Sequence, residues 1–155
     1  MDDDPHDLQR FLQAQHGVYD HACAELAAGA KRSHWMWFVF PQLRGLGRSG
    51  TAQFYGLAGR DEAVAYWRHA VLGPRLKRCC ELLLGLQGRS AHDVFGSPDD
   101  VKLRSCMTLF EAVAPQVPLF GQVLERYGDG ERDEATLRLL GGGVAPSPAR
   151  GRGLG

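Results

Sequence analysis

The sequence lacks a net charge: eighteen lysines and arginines balance eighteen aspartates and glutamates over 155 residues. Proteins that grip duplex nucleic acid through its phosphates carry a basic excess, so the balance argues against that partner. Long hydrophobic runs are missing too. The longest, Trp35 to Phe40, covers six residues, against the ~20 that an apolar helix needs to cross a bilayer. No membrane partner is expected. The start, Met1-Asp2-Asp3-Asp4-Pro5-His6-Asp7, is acidic and leads into an amphipathic stretch, the reverse of a secretory signal. The four cysteines, Cys23, Cys79, Cys80 and Cys106, form no CxxC pair, and none stands beside a histidine at zinc-ligand spacing. Reduced thiols and a cytoplasmic location are the expectation. His6, His16, His21, His69 and His92 show no mutual ligand spacing, so no metal site and no cofactor is expected. Internal repeats, alternating strand runs and the GxGxxG, Walker A, GxSxG and HExxH signatures are likewise absent.

What remains is helix signal. Asp4-Pro5-His6-Asp7 offers a cap, a proline for the first position and an acid in the first turn. Leu8, Phe11, Leu12, Gln15, Val18, Tyr19, Ala22 and Leu26 then recur at three- and four-residue steps, which predicts one helix ended by Gly29. Further starts are predicted at Ser49 or Thr51, at Asp61, near Pro74, at Ser90, at Ser97-Pro98-Asp99-Asp100 and at Asp133. Leu76, Cys79, Leu83 and Leu86 make one buried stripe; Leu103, Cys106, Met107, Phe110, Val113 and Ala114 make another. Six large apolar residues at Trp35–Phe40 suit a short buried helix leading into an extended loop, because Pro41 disfavours helical geometry at Phe40. The expected architecture is mainly α, a compact multihelical single domain over residues 1–140. A Gly/Pro/Arg tail over 141–155 has little apolar content to bury and is expected to be disordered.

Ser33-His34-Trp35-Met36-Trp37-Phe38-Val39-Phe40-Pro41-Gln42-Leu43 is the least generic segment. With Leu72-Gly73-Pro74-Arg75-Leu76, Phe95-Gly96-Ser97-Pro98-Asp99 and the block from Lys102 to Phe110, it resembles a bacterial family catalogued as domain of unknown function 1810. Some members of that family carry the label calpastatin. The resemblance spans residues 7–140 and implies a compact multihelical fold, with no activity, cofactor or partner attached. Two positions depart from the family pattern: Cys106 stands where a serine is more usual, and Ala70 follows His69 where a proline is usual. A mechanism requiring a hydroxyl at position 106 is thereby put in question.

Two blocks carry chemistry. Trp35 and Trp37 offer broad faces for a flat ligand, His34 can exchange a proton near neutral pH, and Gln42 supplies a donor and an acceptor. Equally, the tryptophans suit a core anchor and His34 a satisfied structural role. Lys102, Ser105 and Thr108 fall three apart on one helix face, where a cation and two hydroxyls can meet one anionic ligand. Equally, the lysine can snorkel and the hydroxyls bond back to helix carbonyls. Arg44-Gly45-Leu46-Gly47-Arg48-Ser49-Gly50 lacks the Gly-Lys-Ser/Thr ending of a phosphate loop and reads as a connector.

Two functions follow as expectations. In one, His34, Trp35, Trp37 and Gln42 converge with Lys102, Ser105 and Thr108 on a pocket for a small anionic, nucleotide-like metabolite. No acid–base pair is assigned, so whether the protein is an enzyme stays open. In the other, the chain is a non-catalytic interaction domain, with Trp67 and Arg68 as further contact candidates.

Overall fold

The computed structural model describes residues 4–141. These residues form ten helices, and the expected tail lies outside them apart from Gly141. The chain is mainly α, as its periodicity predicts.

The long amphipathic stretch at the start is two helices rather than one: α1 (Gln9–Gln15) and α2 (Tyr19–Ala28). Gly17 adopts φ +75 between them, a left-handed conformation that glycine takes without steric cost. The apolar spacing runs through the break, so periodicity alone could not show it. Asp4 is not the N-cap residue: α1 begins at Gln9, after Pro5 and Asp7, although the Asp4 carboxylate accepts from the Leu8 and Gln9 amides at 2.7 and 2.9 Å. Gly29, at φ +74, ends α2 as expected.

The tryptophan segment is the short helix α3 (Met36–Val39) followed by extended chain. An isolated parallel bridge, Leu43 with Leu57, pins that chain beside the end of α4 (Gly50–Tyr55), whose cap is Ser49. Next come α5 (Arg60–Arg68), α6 (Leu72–Leu84) and α7 (Ala91–Phe95). Ser90 and Asp93 form a reciprocal capping box on α7. Helix α5 starts one residue before Asp61, whose expected capping role passes to Glu62: its carboxylate accepts from the Ala58 amide at 2.7 Å. Pro74 lies within the first turn of α6, where its missing N–H costs nothing.

Helix α8 (Asp99–Val113) is the central element and packs against α5, α7, α9 (Leu119–Tyr127) and α10 (Glu134–Leu140). Its expected cap, Ser97, does not cap; Ser97–Pro98 is a cis peptide, and the serine hydroxyl sits 3.5 Å from Asp100. Leu103, Cys106, Met107 and Phe110 are buried, as their spacing predicts. Trp35, Phe40 and Phe95 pack as one aromatic group within the core, and Tyr66, Phe110 and Phe120 as another. All four cysteines are unpaired.

Candidate functional site

A groove of about 340 Å³ opens where the segment after α2, the start of α8 and the start of α10 come together. Trp37 and Gln42 form one wall, and Lys102, Ser105 and Val101 another. Asp133 and Ala135 complete the lining. The Lys102 ammonium lies 4.1 Å from the centre of the Trp37 ring, a close cation–π contact. It also donates to Asp99 Oδ1 at 3.0 Å.

Asp99 is shared. Its other oxygen, Oδ2, pairs with Lys31 at 2.8 Å, so one carboxylate lies between two ammonium groups. Burial pushes the Asp99 carboxyl upward, but the hydrogen bonds from Lys31 and Lys102 outweigh it and hold the group below the usual carboxylate range. Lys31 also stands 5.0 Å from the Trp35 ring centre and donates to the Ser33 carbonyl at 2.6 Å. The first turn of α8 is thereby tied to the segment that carries both tryptophans.

That segment has a second anchor. Glu25, on α2, accepts from the Arg32 and Ser33 amides, the Ser33 hydroxyl and the Trp35 indole N–H, all within 2.6–3.1 Å. Desolvation raises its pKa, yet four donors together hold it down to about 2.

The family described as "Protein of unknown function (DUF1810)" matches residues 5–140. The chain belongs to this family. It is also similar to the crystal structure of the conserved hypothetical protein Rv1873 from Mycobacterium tuberculosis. The TM-score is 0.88 and the identity 50%, over 92% of this chain and 100% of that one. Among curated proteins none matches. Three of the four sequence blocks that carry the DUF1810 resemblance contribute to the groove, through Trp37 and Gln42, through Pro98, and through Lys102 and Ser105.

Of the seven residues expected to converge in this DUF1810 chain, four do: Trp37, Gln42, Lys102 and Ser105. Trp35 does not. It is fully buried between Phe40 and Phe95, with its N–H on Glu25. Trp35 precedes α3 with non-helical backbone while Trp37 lies within it, so helical spacing does not hold the two side chains on one face. His34 is exposed and stands outside the groove lining. Thr108 is 1% exposed; its hydroxyl accepts from the Asp133 amide at 2.9 Å, which anchors α10 instead of meeting a ligand. Ser105 donates to the Val101 carbonyl at 3.3 Å, the back-bonded arrangement open to any helical serine. Cys106 is fully buried, so the departure from serine there falls in the core.

From its position in the sequence Asp133 is expected only to start a helix. Its Oδ2 does accept from the Thr136 amide and hydroxyl, at 2.9 and 2.6 Å, but the residue also lines the groove. Glu25 gave no signal at all: an acid on an amphipathic helix is ordinary. Among the described residues, no three His, Cys, Asp or Glu side chains cluster as a metal site would need.

Proposed function

We propose that the groove binds a small anionic, nucleotide-like metabolite through Trp37, Gln42, Lys102 and Ser105. The observation that carries this reading is the Lys31–Asp99–Lys102 arrangement: Asp99 is shared between two cations, so it only partly neutralises Lys102, which stands at a concave, partly aromatic surface. Ligand pockets characteristically combine apolar walls with a few placed polar groups, over ~300–1,000 Å³. The groove falls at the small end of that range. Binding, rather than a named reaction, is what these groups support. A cytoplasmic location is proposed with it, supported by four unpaired cysteines. No helix among the described residues is long and apolar enough to cross a membrane.

The test is thermal unfolding of the full chain with mononucleotides, NAD, ADP-ribose, phosphosugars and dicarboxylates. A ligand at about 100 times its Kd adds roughly 2.7 kcal/mol, worth about 5–10 °C at this chain length. The shift should vanish in Trp37→Ala and Lys102→Ala, each still folded by circular dichroism. A flat panel would transfer the function to a protein interaction surface. There the exposed Arg68 is the more available contact, since Trp67 is half-buried with its ring 4.9 Å from that of Phe120.

A further inference from the structure

The side chain of Gln42 is unusual in this molecule. The residue is 7% exposed, yet its amide makes no hydrogen bond to any described residue. Its backbone carbonyl is occupied, accepting from the Leu57 amide at 3.0 Å, so the residue is fixed in place while its side chain is left over. The amide is not sealed in the core; what access it retains is through the groove it lines. An amide placed in this way presents a donor and an acceptor side by side to whatever enters the groove. Asp133 lines the same groove; its Oδ2 is taken by Thr136 while Oδ1 accepts nothing from the protein. The groove is thus polarised, with a cation at the Lys102 wall and a carboxylate at the α10 wall. An anionic group is drawn to the first and repelled by the second. The second favours neutral donors such as sugar hydroxyls, the role an acidic residue takes towards ribose in dinucleotide sites.

Resting on the groove reading above, we propose that the site takes a ribonucleoside 5′-monophosphate. Gln42 pairs with a donor–acceptor edge of the base, Asp133 accepts from the ribose hydroxyls, and Lys102 meets the phosphate. Adenine presents such an edge through its N6 and N7, the pairing a glutamine amide matches with two hydrogen bonds. The volume, about 340 Å³, suits one nucleotide rather than two.

Isothermal titration of the full chain with AMP, 2′-deoxy-AMP and ribose 5-phosphate tests this. AMP should bind at least tenfold more tightly than either of the others. Asp133→Asn, which keeps the oxygen that caps α10, should weaken AMP about tenfold and leave 2′-deoxy-AMP unchanged. Gln42→Met should bring AMP to the affinity of ribose 5-phosphate without altering the latter. Equal affinities for the three probes would overturn the proposal, as would variants that weaken all three alike. If another anion in the thermal panel binds and none of these three does, the groove reading stands and this one falls. If nothing in either set binds, both fall.

Discussion

The guanidinium of Arg10 and the carboxylate of Glu62 meet at 2.7 Å with side chains only 6% and 4% exposed. The pair joins α1 to α5 across 52 residues of sequence. Arg10 spends its other donors on the carbonyls of His6, Asp7, Phe54 and Gly56, so every N–H of the fork has a partner. Removing one charge strands the other in a dry site. Glu62→Ala should therefore cost about 3–5 kcal/mol of stability. The double change Arg10→Met with Glu62→Met should cost clearly less than the two single changes added together. Chemical denaturation of the three variants measures this; strict additivity would mean the pair is not coupled.

Glu25 should make the tryptophan segment acid-sensitive. Its folded pKa, about 2, lies below the ordinary 4.5 because four donors prefer the charged form. A lowered carboxylate pKa contributes stability above the unfolded value and loses it as pH falls through the folded value. The loss therefore belongs between pH 4.5 and 2. Glu25→Gln should cost roughly 1–2 kcal/mol at pH 7, and the gap to the parent protein should close over that window. Parallel denaturation curves at pH 7, 4 and 3 would show whether it does.

Gly73 is buried in the first turn of α6, and a Cβ built there would stand 2.1 Å from the Trp67 carbonyl oxygen. That atom is backbone and cannot swing away. Alanine normally favours a helix over glycine by about 1 kcal/mol. Here the clash should reverse the sign, and Gly73→Ala should destabilise by about 1–3 kcal/mol. A raised melting temperature would show that α5 and α6 separate easily.

Among the cysteines, Cys23 is half-exposed and the other three are buried. A hydrogen bond from the Cys79 thiol, aided by Tyr19 and Arg78, brings Cys23 down to about 6, whereas burial pushes Cys80 and Cys106 up. Iodoacetamide at pH 7 should label Cys23 first and the remainder only after unfolding. Peptide mapping by mass spectrometry gives the order, and prior labelling of Cys80 or Cys106 would contradict it.

Local patterns made most of the helices legible. The stripe Leu103, Cys106, Met107, Phe110 and the caps at Ser90 and Asp133 each depend on residues within four positions of one another. Four of the groove's ten lining residues were legible in the same way, Trp37 and Gln42 in one segment and Lys102 and Ser105 on one helix face. The break at Gly17 was hidden because the residues on both sides remain apolar at helical spacing.

By itself, then, the sequence determined a mainly helical chain and its family, since helix periodicity, capping and short motifs are properties of neighbouring residues. Only the tertiary structure decided that Trp35 faces the core while Trp37 faces the groove, because that choice depends on Glu25 receiving the Trp35 N–H from another helix. It alone turned Thr108 into an anchor for Asp133, 25 residues away, and so put a carboxylate in the groove that Lys102 lines. Directions in space between distant segments are set by packing, and packing is a property of the whole chain.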